Sequence, residues 1–256
     1  MAKKSAPTVE LTVQRSEWLT PRLVRVVLGG PGFDAFTPNG FSDQYIKLDF
    51  GTADEPTLRT YTIRSVDHGR REIAVDFVVH GDEGVAGPWA AAVRAGDRVT
   101  VRGPGGAYRP AEDAPWHLLA GDESAVPAIA ASIEALPSDA VGYVFIEIGD
   151  DTDRIELDPP QGVEVAWVRR SADGGGIGVD APLVEAVRAA RWLDGVPHVF
   201  VHGEAETVMK GIRPYIRKER GVPAERASIS GYWRRGRTEE GFRVWKRELA
   251  AAEAPG

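Results

Sequence analysis

The spacing of apolar residues changes once along this chain, and that change constrains the fold more than any other feature. From Val9 to about Gly106 six short segments, VELTVQ, LVRVVLGG, QYIKLDF, RTYTIRSV, EIAVDFVVH and DRVTVRG, are broken by Gly, Pro and Asp clusters. Close-set strands of that kind predict a small barrel. From Trp116 onward the pattern becomes strand then helix. WHLLAG precedes SAVPAIAASIEAL, VGYVFIEIG precedes an irregular stretch, VEVAWVRR precedes APLVEAVRAARWL, and HVFVHG precedes ETVMKGIRPYIRKER. That alternation predicts a parallel sheet covered by helices. Neither period persists through the Pro/Gly-rich passage from GPGGAYRP to APW. The expected domains are therefore 1–110 and 111–256, the second ending in a helical tail, with SADGGGIG at 171–178 as a loop.

Composition narrows the chemistry. A length of 256 residues suits two modest domains, and 43% hydrophobic with 27% charged residues suits a well-formed core. The formal charge of −7 argues against nucleic-acid binding, which needs a dense positive face. There is no cysteine, so disulfides, iron–sulfur clusters, thiolate metal sites and cysteine nucleophiles are excluded, and redox chemistry must ride on a bound cofactor. The opening MAKKSAPTVELTVQ has no apolar core of signal-peptide length, and no stretch approaches about 20 apolar residues. A cytoplasmic protein with no membrane span is expected.

The first specific motif is Arg59-Thr60-Tyr61-Thr62 on a predicted strand, where alternation separates Arg59 and Tyr61 from Thr60 and Thr62. An arginine fork suits a pyrophosphate, Tyr61 offers a flat face to an isoalloxazine, and Thr62 a hydroxyl to a ring nitrogen. Taken alone, the segment is also an ordinary half-buried strand. Gly96-Asp97-Arg98-Val99 leading to Gly103-Pro104-Gly105-Gly106 follows about 40 residues later, and the pairing resembles the ferredoxin reductase superfamily. Between them lie Asp76-Phe77-Val78-Val79-His80-Gly81 and Gly84-Val85-Ala86-Gly87-Pro88-Trp89-Ala90. This run resembles the siderophore-interacting protein family, whose small residues at a helix start let backbone N–H groups approach the FAD pyrophosphate. Gly87 stands where that family pattern suggests serine.

The second half adds further matches. Asp122-Glu123-Ser124-Ala125-Val126-Pro127-Ala128-Ile129 is similar to the family's acidic-Ser-Ala-x-Pro-Ala-Ile segment. It follows a strand, where open α/β sheets bind nucleotides. Gly203-Glu204 resembles the Gly-Glu turn beside the nicotinamide, and equally fits a helix start with acids near its dipole. Ser230-Gly231-Tyr232-Trp233-Arg234-Arg235-Gly236-Arg237-Thr238-Glu239 looks like the family's ending. Arg169-Arg170 departs from the histidine expected after VEVAWV.

The resemblance implies a Greek-key flavin-binding barrel followed by a parallel-sheet nucleotide-binding domain, the ferredoxin reductase-like arrangement. It also implies an oxidoreductase that uses FAD and NADPH or NADH to reduce a ferric siderophore and release Fe(II). The implied cofactor contacts are Arg59, Thr60, Tyr61, Thr62, Asp76, Phe77, Val78, His80, Ala86, Gly87, Trp89, Asp122, Glu123, Ser124, Ala125, Gly203, Glu204, Tyr232 and Trp233. Ferric siderophores are often anionic, which makes Lys47, Arg102, Arg234, Arg235 and Arg237 the substrate candidates. No acid–base pair and no resident metal are required. The donor stays open, because Glu147 or Asp150 favours a free ribose hydroxyl and Arg169-Arg170 a 2′-phosphate. A general flavin reductase serving a protein acceptor, and a siderophore-binding module without turnover, are the alternatives. A monomer is expected.

Overall fold

The computed structural model describes residues 8–52, 55–81, 84–170, 176, 178–237 and 241–242. The first six strands are β1 (Thr8–Thr20), β2 (Leu23–Gly29), β3 (Tyr45–Asp49), β4 (Leu58–Asp67), β5 (Glu72–Val78) and β6 (Arg98–Gly105). They close into a barrel in the order β1-β2-β5-β4-β3-β6, every neighbour antiparallel. Because β2 pairs with β5 and β3 with β6, the connection is of Greek-key type. Period-two alternation decides what lies inside. In β3, Ile46 and Leu48 are fully buried while Tyr45, Lys47 and Asp49 turn outward. In β5, Ile73, Val75 and Phe77 join them in one apolar core with Leu11, Val26 and Leu28. The short helix α1 (Ala86–Ala92) adds Ala86 and Ala90 to that core.

The second unit is a parallel sheet of β7 (His117–Gly121), β8 (Val141–Ile148), β9 (Gly162–Arg169), β10 (His198–Glu204) and β11 (Ala227–Trp233), in the order β11-β10-β7-β8-β9. β7 and β10 are buried along their whole length because helices cover both faces. Helix α2 (Val126–Glu134) packs Ile129 and Ile133 with Leu119, Val144 and Phe200 on one face. On the other, α3 (Pro182–Ala189) and α4 (205–219) pack Leu183, Val187, Val208 and Ile212 with Val199 and Val201. α4 is wound largely with π-type turns, Thr207–Ile212 and Tyr215–Glu219. The strand order reverses between β7 and β10, so a crevice opens past their carboxyl ends.

The barrel ends at Gly105 and the sheet begins at His117. The passage between them is pinned by buried Asp43, whose Oδ1 accepts from the N–H groups of Ala107 and Tyr108, both at 2.8 Å. Across the seam, Arg64 of β4 pairs with Glu134 of α2 (Nη1 to Oε2, 2.9 Å), and the hydroxyls of Ser42 and Ser132 lie 2.9 Å apart. Arg22, in the β1–β2 turn, makes a forked pair with Asp153 at 2.8 and 2.5 Å. Thr238, Glu239 and the tail from 243 lie outside the described residues. Among the described residues no helix is long and apolar enough to cross a membrane.

Candidate active site

On the barrel side the site is built from β4, the end of β5 and the start of α1. Tyr61 is half-buried and lies against Phe77, with ring centroids 4.3 Å apart, while Phe77 packs in turn on Trp89 at 5.5 Å. The tyrosine ring is thereby held from beneath by side chains that cannot move without opening the core. Arg59 shares its face of β4, and Thr60 is exposed on the opposite face. Beyond β5 the chain turns at Gly84, whose φ of +78° only glycine adopts readily, and nothing lies within 4 Å of where its side chain would start. A Cβ on Gly87 would sit 3.4 Å from the Val78 carbonyl, ordinary contact, so packing leaves room for the serine of the family pattern. His80 is exposed and lines a cleft at the seam with Val78, Arg22, Glu123 and Asp153. Asp76 and Phe77 lie behind the surface, Asp76 forked to Arg25 at 2.7 and 2.8 Å and Phe77 in the core. Their side chains support the site from within.

On the sheet side the strand ends converge. Asp122, at the end of β7, is buried and accepts four hydrogen bonds. Its Oδ1 takes the Ser124 N–H at 2.9 Å and hydroxyl at 2.5 Å. Its Oδ2 takes the Glu204 N–H at 2.7 Å and the Trp233 indole N–H at 2.8 Å. Burial outweighs these bonds and pushes its carboxyl up to about 6. Glu204 is also buried and starts α4, its Oε2 accepting from Glu206 and Thr207 N–H at 2.7 and 2.9 Å. Ala125 is fully buried. Tyr232, next to Trp233, shares a hydrogen bond with the hydroxyl of Thr62, and its own hydroxyl is pushed well up by burial. The end of the nucleotide sheet therefore touches the Arg59–Thr62 strand.

The basic candidates fall in two places. Lys47 on β3 lies in register with Thr60 and Arg102, on the outer barrel face, and Arg102 pairs with Asp49 at 2.7 Å. Arg234 pairs with Glu206 at 2.8 Å, whereas Arg235 and Arg237 are exposed on the following turn. Arg170 is held between Glu123 at 2.6 Å and Glu147 at 2.9 Å, and the Glu147 Oε2 also accepts from Leu183 N–H at 3.3 Å. Arg169 pairs with Asp150 and Asp151 in the open. The acid and the arginines that would argue for opposite nicotinamide donors thus neutralise each other.

Comparison with known proteins agrees with this layout. Residues 49–108 match the model of the siderophore-interacting FAD-binding domain and residues 114–236 that of the siderophore-interacting protein. The chain is 31% identical over 247 residues to ferric vibriobactin reductase ViuB of Vibrio cholerae, spanning 89% of this chain and 90% of that one. It belongs to the siderophore-interacting protein family. It is also 30% identical over 247 residues to an NADPH-dependent ferric-chelate reductase of Escherichia coli, across 88% and 92% of the two chains. The crystal structure of the siderophore-interacting protein SipS from Aeromonas hydrophila superposes with a TM-score of 0.84 at 27% identity, covering 96% of this chain and 99% of that one.

The residues of this family member fit FAD. The exposed face of Tyr61, the guanidinium of Arg59 beside it and the unobstructed backbone at Gly84 leading into α1 supply a ring platform, a fork for phosphate and open N–H groups. Sequence reasoning missed Asp43, which fixes the linker, Tyr45, whose ring lies where a Gly105 side chain would go, and the Arg22–Asp153 fork. Their partners are far apart in the chain, so only the spacing of Gly105 gave any signal.

Proposed function

We propose that this protein is an FAD-dependent ferric-siderophore reductase, taking electrons from NADPH or NADH and delivering them to siderophore-bound Fe(III). The observation that supports it most is the meeting of Tyr232 with Thr62, which sets the nucleotide sheet against the strand bearing Arg59 and Tyr61. Bound FAD supplies the conversion between a two-electron donor and one-electron iron chemistry. The chain's own residues do the rest. Arg59 holds the pyrophosphate, Tyr61 and the Phe77–Trp89 support fix the ring plane, and the crevice past β7 and β10 orients the nicotinamide. Lys47 and Arg102 on the barrel face, with Arg235 and Arg237 on the last turn, attract an anionic ferric complex on an otherwise acidic protein. The division lies between residues 110 and 111, and the protein works as a monomer in the cytoplasm. Anaerobic addition of NADPH or NADH should bleach the bound FAD, and a ferric siderophore should restore its colour. FAD that bleaches yet is not reoxidised by the siderophore would favour a reductase serving another acceptor.

A further inference from the structure

Asp122 is one of two acids buried at the reversal point of the sheet, and its surroundings differ from those of a ligand-binding carboxylate. All four groups that meet it are donors drawn from the protein itself, on three strand ends. The turn after β10 is shaped around it. Gly203 has φ +151°, and a Cβ there would stand 2.8 Å from the Asp122 Oδ2. A side chain at 203 would push the carboxylate off the Glu204 N–H and the Trp233 indole together. The same oxygen accepts both of those bonds. One neighbour, Glu204, belongs to the turn at the nicotinamide side. The other, Trp233, adjoins Tyr232, which reaches Thr62 on the flavin side.

We infer that Asp122 is a positioning residue that fixes the Gly203–Glu204 turn and the Tyr232–Trp233 strand end to one another, and is not itself a contact of either cofactor. The inference rests on the functional reading above. Only an acceptor satisfies this arrangement. A protonated acid, or an amide, presents a donor toward donors, with the Ser124 hydroxyl alone able to turn and receive it. The groups that face Asp122 and carry or develop charge are Glu123 from its own turn, Glu204 from β10 and Tyr232 from β11. Glu123 disfavours its ionisation, and the Ser124, Trp233 and Glu204 N–H donors favour it.

The test follows the Trp233 indole N–H by NMR from pH 5 to 8, assigned with Trp233→Phe, together with the rate at which NADPH or NADH reduces bound FAD. In the wild type the indole resonance should titrate with a midpoint near 6, and Asp122→Asn should abolish that titration. The same variant should keep its FAD and be reduced about tenfold more slowly. An indole signal that does not titrate, or an Asp122→Asn protein reduced at the wild-type rate, would overturn the inference. If Asp122→Asn fails to fold, Ser124→Ala decides, because loss of one donor to the carboxylate should move the indole midpoint upward; an unmoved midpoint would overturn it. Wild-type FAD that neither nucleotide reduces, beside a normal indole titration, would overturn the functional reading and leave the joint itself standing.

Discussion

The two faces that meet at the seam are built on opposite principles. The barrel face keeps its ligand groups half-open over an apolar floor, as Tyr61 does over Phe77. The ends of β7, β8 and β9 instead carry charges that satisfy one another, as Arg170 does between Glu123 and Glu147. A floor of packed rings is preformed, so a flat ligand laid on it would require no rearrangement. A crest of paired charges costs desolvation and returns geometry, because each pair links one strand end to the next. The flavin side should therefore fail by losing its ligand, and the nucleotide side by losing alignment.

The largest expected effect breaks the floor. Phe77→Ala should cost ~3–5 kcal/mol in urea unfolding and release FAD, since it deletes a fully buried ring and the support under Tyr61. Retention of FAD by a folded Phe77→Ala protein would show that the floor is dispensable. On the crest, Arg170→Ala should cost ~2 kcal/mol, because Glu147 is left buried without its cation and Arg170 itself is only about one quarter exposed. It should leave FAD affinity unchanged while weakening the nicotinamide donor. Arg59→Ala should do the reverse, raising the Kd for FAD about tenfold, or ~1.4 kcal/mol, at little cost in stability.

How far the sequence foretold these two faces follows the range of the interactions. The barrel and the parallel sheet were legible because period-two runs such as YIKLD and near-continuous apolar runs such as HVFVHG and VGYVFIEIG are local facts. Arg59 and Tyr61 could be proposed together because their motif is contiguous on one strand, and Trp89 because its short Gly/Ala run opens a helix. Asp122 was found as part of a Gly-Asp-Glu-Ser turn, but its bonds to Glu204 and Trp233 span 82 and 111 residues. Nothing local distinguishes a carboxylate that faces a ligand from one that ties strands together. The same holds for Arg170, whose partners lie on β8 and in the turn after β7.

A pH-dependent effect separates burial from pairing. His117, under the start of the sheet, is pushed down to about 4, first by burial and then by nearby His198. The unfolded chain takes up its proton below about 6.5 and the folded chain only near 4, so this residue withdraws stability as pH falls between those values. Asp122 has the opposite sign. Its carboxyl is raised from 3.8 to about 6, so the folded state holds that proton longer, and stability is withdrawn as pH rises from about 4 to 6. The two oppose each other across nearly the same window. His117→Gln should therefore become more stable relative to wild type by ~2 kcal/mol as pH falls from 6.5 to 4, read from Tm and urea midpoints. A pH-independent difference would contradict that account of the buried histidine. The smallest effect lies far from the seam, where Arg188→Ala, losing an exposed pair with Glu219, should leave the Tm and the urea midpoint almost unmoved.

The passage of electrons across the seam to siderophore iron is what this arrangement of barrel and sheet serves. Its most direct measurement is capture of Fe(II) by a chelating dye, under argon, with FAD-loaded protein, a nicotinamide donor and a ferric siderophore. Colour that develops only when protein, donor and siderophore are all present, and slows when Arg59 or Phe77 is replaced by alanine, is the expected result. Flavin that is reduced with no trapped iron, or protein that has no affinity for FAD, would contradict it.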